Sequence, residues 1–361
     1  MSKTEYKTSK AFHPGLYVRN IIDEMEISQT EFAKRIGITD KTLSKLINEQ
    51  TPLTPSIAQK LATILGTSTS VWINLQANYD TYLADNMIIK DMKEDEEILS
   101  FIDYSYFVKN KFVEATKDKI EKITNLRKFF EVSSLGLLAQ KEFLVNYRST
   151  SKVEEKNIIN ANIWMQTALN VAKQIDTDVF NKEKLKTCLP EIRKMTVQSP
   201  DEFYPKLHDM LQSCGVALVL LPHLKNSGIN GAVRWINKEK VLLAMNDRQK
   251  YADIFWFSFC HELRHVLQQK NKLTLINYSN KYIQSIDEEL EKDADEFAQK
   301  FLIPQEEYSE FLRTRSINRT SILVFAKKIN IHPGIVVGRL QHDNKIPIYT
   351  HNDLKSQYEI V

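Results

Sequence analysis

Residues 261–265 read His-Glu-Leu-Arg-His. Histidines four apart lie on one face of a helix, so both imidazoles can reach one metal ion while the glutamate between them points at a water. That spacing suits zinc. A catalytic zinc also needs a third protein ligand and an open position, and a glutamate fills that role in the His-His-Glu class. The amphipathic stretch after residue 285 offers several carboxylates. On a helical wheel Leu290, Ala294, Phe297, Ala298, Phe301 and Leu302 gather on one arc, and Glu289, Lys292, Asp293, Glu296 and Lys300 on another. Glu291 falls inside the apolar arc, between Ala298 and Leu302. A buried, unpaired carboxylate costs several kcal/mol, so Glu291 needs a cation, which Zn2+ would supply. Ala294 and Ala298 let two helices approach closely, and Asp295 can accept a hydrogen bond from a ligand histidine and fix its tautomer. With His261, His265 and Glu291 as ligands and Glu262 as base, the matching chemistry is peptide hydrolysis. Glu262 takes a proton from the attacking water and passes it to the leaving amine, while the metal polarises the carbonyl. The bland alternative makes the histidines polar residues of a buried helix and Glu291 an ordinary helix-end carboxylate. Three donors, a placed base and Asp295 agreeing on one site weigh against it. Tyr251, His223 and Arg234 are candidates to stabilise the transition state by sequence proximity alone.

Elements that could hold such a site follow from the wider sequence. At 361 residues the chain should form two or three domains. Nine glycines and ten prolines disfavour a turn-rich all-β fold and point to mainly helix. From Gly215 the texture changes: the apolar run Val216–Leu221, then Gly231–Ile236 and Lys240–Met245 with turn residues between them, reads as a small antiparallel sheet. Helices are expected at Ala252–Gln269, at Ile286–Leu302 and as a pair between Thr320 and Gln341. Residues 98–212 read as a helical connector without a catalytic motif. The overall expectation is an α+β chain, mainly α: a five-helix domain at 1–83, the connector at 84–212 and a zincin-like domain at 213–361. The acidic stretch Asp91 to Glu97 reads as a linker or an exposed helix.

No apolar run approaches the ~20 residues needed to span a bilayer, and residues 1–12 lack the apolar core of a signal peptide, so a cytoplasmic protein without membrane contact is expected. Cys188, Cys214 and Cys260 are widely spaced and odd in number, which argues against a disulfide framework; each reads as a small buried apolar residue. Asp293, His332 and His342 read as packing residues of the C-terminal domain. A net charge of +3 advertises no whole-molecule field for nucleic acid.

Any DNA site must therefore be local. Ser28 with Glu31 forms a capping box, Gly37 closes that helix, and Thr39 caps the next, Lys41 to Ile47. In a helix-turn-helix the second helix enters the major groove, which makes Thr39, Lys41, Thr42, Ser44 and Lys45 the reading residues, flanked by Gln29 and Asn48. Residues 1–85 carry nine Lys or Arg against nine Asp or Glu, so the phosphate term is weak outside this helix. The competing reading is a helical bundle for protein contacts.

Two resemblances tie these parts together. Residues 13–80 resemble the HigA-like branch of the Cro/C1-type (XRE) helix-turn-helix proteins. His13-Pro14-Gly15, Ser28 to Ala33, the Gly37 turn and Trp72-x-Asn74-Leu75-Gln76-x-x-Tyr79-Asp80 follow that pattern. Residues 215–342 resemble the ImmA/IrrE metallopeptidases: an apolar strand, Phe255-Trp256-Phe257 leading into the His-Glu-Leu-Arg-His helix, then Glu291-x-x-Ala294-Asp295-x-Phe297-Ala298 ending in Leu302-Ile303-Pro304. The second resemblance implies His261, His265 and Glu291 as zinc ligands and Glu262 as base. Arg264 stands where that family often has a small residue, which bears on access and not on ligation. Together the resemblances imply a transcriptional regulator of antitoxin or repressor type that binds double-stranded operator DNA as a homodimer. Its peptidase would act on a regulatory protein: a repressor, an antitoxin or the chain itself. The alternatives are a non-cleaving repressor that senses zinc or a ligand, and an antitoxin that neutralises a toxin partner by protein contact.

Overall fold

The computed structural model describes residues 11–140, 155–247, 251–269, 275–278, 288–313 and 317–358. The chain divides into two units, Met1–Glu94 and Asp95–Val361.

The first unit is built from α1 (Pro14–Glu24), α2 (Gln29–Arg35), α3 (Asp40–Ile47), α4 (Pro55–Leu65) and the beginning of α5 (Thr69–Leu99). Ser28 Oγ accepts from the Glu31 N–H at 3.2 Å and Thr39 Oγ1 from the Thr42 N–H at 3.1 Å, but the Glu31 side chain accepts from Arg35, so the expected capping box keeps only its Ser28 half. Val18, Phe32, Leu43, Leu46, Leu61 and Trp72 close the core. The α1–α3 crossing is tight enough that a Cβ on Gly15 would stand 2.0 Å from the Leu46 carbonyl oxygen, so only glycine fits. The fifth helix runs on past residue 83, where the sequence places the end of the five-helix domain. Neither glycine nor proline occurs between Gly66 and Gly136, so nothing breaks the helix, and the acidic stretch is helical. Nor is that stretch fully exposed. The Asp95 carboxylate is buried and accepts from Arg127 Nε (2.5 Å), Ser134 Oγ (2.8 Å) and the Leu135 N–H (2.8 Å), the set of partners that a buried charge requires.

The second unit continues through α6 (Tyr104–Lys109), α7 (Lys119–Phe130), α8 (Glu155–Lys173), α9 (Lys182–Lys194) and α10 (Pro200–Gln212) into a sheet. The strands are β1 (Val216–Leu221), β2 (Ile229–Trp235), β3 (Val241–Asn246) and, after α11 (Ala252–Gln268), β4 (Leu275–Tyr278). Four helices follow: α12 (Glu288–Leu302), α13 (Gln305–Leu312), α14 (Arg319–Lys328) and α15 (Pro333–His342). The α+β expectation holds, but the sheet is mixed, not antiparallel. Its order is β1-β3-β2-β4, with β1 parallel to β3 and the other pairs antiparallel. The β2–β3 hairpin is local, and β3, buried along its length, takes the central place beside the equally apolar β1.

Strand alternation gives the sheet two cores. Val216, Leu218, Val233, Leu243 and Met245 face the layer containing α10, α11, α14 and α15. Ala217, Val219, Ala232, Leu242 and Ala244 face Trp164 and Ile163 of α8, together with residues of α6 and α7. Helices α6 to α8 thus cover one face of the sheet, whose other face carries α11.

Candidate functional site

Helix α11 turns a largely apolar surface to the sheet, and that burial takes its polar residues with it: His261, Glu262 and His265 are 3%, 0% and 2% exposed. Helix α12 packs alongside, with Ala294 and Ala298 fully buried at the approach. It brings Glu291 to the two histidines. Glu291 Oε2 lies 3.1 Å from His261 Nε2, Glu291 Oε1 lies 3.4 Å from His265 Nε2, and the two Nε2 atoms are 3.0 Å apart. One ligand atom from each residue falls within 4.8 Å of the others, and among the described residues this is the one such group that could hold a metal ion.

The outer faces of the rings fix the tautomers. His261 Nδ1 is 2.8 Å from Asp295 Oδ1, the carboxylate picked out in the sequence. His265 Nδ1 is 2.8 Å from Gln268 Oε1, and Gln268 Nε2 donates to Asp293 Oδ2 (2.7 Å) and to the Leu290 carbonyl (3.0 Å). Because the amide NH2 is used in those bonds, its oxygen is the acceptor and His265 Nδ1 carries the proton. Both Nε2 atoms then point inward, toward the Glu291 carboxylate. That donor set, two imidazoles that bind a metal when neutral and one carboxylate, fits zinc. Arg264 anchors the chain of bonds: Nε and Nη2 donate to Asp293 at 2.7 and 3.0 Å, and the guanidinium lies over the Phe297 ring.

Without a metal the cluster is strongly coupled. Burial opposes the charged form of His261, but the carboxylates of Asp295, Glu291 and Glu262 outweigh it and hold the imidazole up at about 10. His265 is shifted upward by the same contest, with Glu291 and Glu262 prevailing over burial. Burial likewise disfavours the Glu291 carboxylate, yet the two imidazoles bring it down to about 2. Glu262 lies between the two ligand histidines on α11 and is fully buried. Its carboxylate rests against β2, where a Cβ on Gly231 would stand 2.5 Å from Oε1.

Two proposed transition-state groups do not reach this site. Tyr251 precedes His261 by ten residues, about 15 Å along a helix, and pairs with Gln357. Arg234 alternates with Val233 and so lies on the α8 side of the sheet, beside Ala232. His223 follows β1, its N–H donating to Asp247 Oδ1 at 2.7 Å. Sequence reasoning passed over Gln268 and read Asp293 as packing alone. The available signal was Gln268 standing four residues after Arg264, on the same turn-to-turn spacing as the histidines.

In the first unit, Thr39, Lys41, Lys45 and Asn48 are exposed and Gln29, Thr42 and Ser44 half-buried, while Leu43, Leu46 and Ile47 hold α3 to the core. Thr39 Oγ1 and Thr42 Oγ1 are 2.8 Å apart, and Gln29 Nε2 is 3.5 Å from the Asp40 carbonyl. Asn48 is held by Arg19, whose Nη2 donates to Asn48 Oδ1 at 2.9 Å and also to the Ile47 carbonyl. Arg19, the one cation on α1, was not singled out in the sequence.

Residues 18–72 match the helix-turn-helix family, and residues 231–338 match the IrrE N-terminal-like domain. An uncharacterized HTH-type transcriptional regulator of Escherichia coli, YddM, is 38% identical over 63 residues, covering 18% of this chain and 67% of that protein. Virulence-associated protein A' of Dichelobacter nodosus is 36% identical over 69 residues, or 19% of this chain and 60% of that one. A crystal structure of a putative antidote protein of a plasmid maintenance system from Nostoc punctiforme aligns with 24% of this chain and 94% of its own, at 29% identity and a TM-score of 0.23. No helix of the described residues is long and apolar enough to cross a membrane.

Proposed function

Because the chain belongs to the helix-turn-helix transcriptional regulators through residues 18–72 and carries an IrrE N-terminal-like domain over residues 231–338, we propose that it is a DNA-binding regulator with a zinc-dependent endopeptidase. The observation that carries this reading is the convergence of His261 Nε2, His265 Nε2 and Glu291 on one point beside the buried Glu262. His261, His265 and Glu291 would hold the metal. Zinc bound there supplies Lewis acidity to a peptide carbonyl and to the attacking water. Glu262 accepts the proton of that water and returns it to the leaving nitrogen. Asp295 and Gln268 hold the two ligand rings in the tautomer that presents Nε2.

Functionally we keep the divisions at 83 and 212: residues 1–83 read DNA, 84–212 connect and cover the sheet, and 213–361 hydrolyse. A homodimer presents two copies of α3, and Thr39, Lys41, Thr42, Ser44 and Lys45, with Gln29 and Asn48, contact double-stranded operator DNA in the cytoplasm. The peptidase substrate is a regulatory protein. Self-cleavage within Asp91 to Glu97 is disfavoured, since that stretch is helical and an extended cleft takes extended chain.

The experiment compares cells carrying wild type with cells carrying Glu262→Gln. Wild type alone should yield a proteolytic fragment and altered operator occupancy, with equal zinc in both proteins. Identical fragments and identical reporter output, at equal zinc, would instead establish the non-cleaving sensor.

A further inference from the structure

Cys188 lies on α9, and Cys214 lies in the turn between α10 and β1, yet their sulfur atoms are 3.8 Å apart. Nothing in the metal centre uses either residue. The fold enforces their proximity. The Asn181 N–H, at the start of α9, donates to the Cys214 carbonyl (3.1 Å), Lys184 Nζ donates to the Ser213 carbonyl (2.6 Å), and the Asp178 N–H donates to the Gln212 carbonyl (3.0 Å). Gly215, which follows Cys214, has φ +84°, and a Cβ there would stand 2.2 Å from Phe180 Cα, so the turn holding Cys214 admits no other residue. The sulfur atoms are within about 2 Å of the disulfide bond length of about 2.05 Å.

The two thiols are also unequal. Cys214 is fully buried, whereas Cys188 on α9 is only partly buried. We infer that Cys188 and Cys214 form a reversible redox pair, Cys188 meeting a hydroperoxide and Cys214 resolving the product into a disulfide. In the first step the Cys188 thiolate attacks the peroxide oxygen, the O–O bond breaks, and Cys188 becomes a sulfenic acid as the oxidant is reduced to water or an alcohol. In the second, Cys214 gives up its thiol proton and attacks the Cys188 sulfur, an S–S bond forms, and the hydroxyl leaves with that proton as water. Two thiols are oxidised by one peroxide. Burial, with the Cys188 sulfur beside it, pushes the Cys214 thiol up to about 11, so it stays protonated until its partner is oxidised. The bond would tie α9 to the start of β1, inside the core that also holds Leu263 and Cys260 of α11. Cys260, buried and outside the pair, should remain a thiol.

The test treats the reduced, full-length protein with hydrogen peroxide, blocks remaining thiols under denaturing conditions, and maps non-reduced peptides. The expected result is a Cys188–Cys214 linked peptide with loss of two of the three free thiols, both restored by dithiothreitol. Cys188→Ser should leave Cys214 unmodified, and Cys214→Ser should let Cys188 pass on to the sulfinic acid. Wild type that keeps all three thiols, at a peroxide level that oxidises free glutathione in the same tube, overturns the inference. So does sulfinic acid at Cys188 with Cys214 still reduced. The wild-type mapping needs no variant, so a misfolded mutant does not rescue the idea.

Discussion

Replacing Gly231 by alanine should separate metal binding from proton transfer. The new methyl would stand 2.5 Å from Glu262 Oε1 and 2.8 Å from its Cδ and Cγ. Ordinary contacts begin about 1 Å farther out, where van der Waals attraction sets in. Strand β2 cannot readily retreat, because Gly231 pairs with Met245 of β3 on one side and Asn277 of β4 on the other. Glu262, fully buried, must move instead. A displacement of about 1 Å at a reacting group costs on the order of 100-fold in rate, and overpacking of this kind costs about 1–3 kcal/mol of stability. His261 and His265 meet Glu291 on α12, not β2, so zinc content should stay at the wild-type level. The assay is metal analysis and thermal unfolding of the purified variant, followed by its turnover of the protein that wild type cleaves and Glu262→Gln spares. Turnover equal to wild type, in a folded Gly231→Ala protein with full zinc, would refute the assignment of Glu262 as base in this position.

Other expectations follow from the same geometry. Arg264→Ala frees Asp293, leaving the Leu290 carbonyl to hold the Gln268 amide, so the bond that fixes the His265 tautomer is loosened and zinc affinity should fall about 10-fold by chelator competition. Unchanged affinity would make that chain of bonds incidental. In the metal-free protein His261 sits at about 10 and His265 is also raised, while Glu291 sits at about 2. The metal must therefore displace protons from the imidazoles but not from the carboxylate, and zinc affinity should climb steadily between about pH 6 and about pH 9. A flat profile would contradict the coupling of Glu291 to the rings. At the DNA face, Lys45→Ala should weaken binding to all sequences and reduce the salt slope by about one. Thr42→Ala should also change base preference at one position, and a footprint on operator DNA checks both.

What the sequence made legible was local. The four-residue spacing of the histidines, the place of Glu291 in an apolar arc and the Ser28 and Thr39 caps are all properties of single helices, and each has its counterpart in the structure. Features that depend on pairing distant segments were not legible. Strand β3 inserts between β1 and β2, and β4 adds to the edge, because hydrogen bonding across the sheet sets the order and apolar composition alone cannot. Gly231 meets Glu262 across 31 positions, and no periodicity records such a contact. Asp293 read as a packing residue of the C-terminal domain; its role comes from Arg264 on another helix. The acidic stretch misled for a different reason: charge reads as exposure, yet Asp95 turns inward to Arg127 and two backbone N–H groups.

The central claim is that His261, His265 and Glu291 form one zinc site, and metal analysis of the purified, zinc-reconstituted chain tests it most directly. The account predicts one zinc per chain in wild type, loss of the metal in His261→Ala and in His265→Ala, and strong weakening in Glu291→Gln. Wild type that retains no zinc after reconstitution, or Glu291→Gln that binds it as tightly as wild type, would contradict the account.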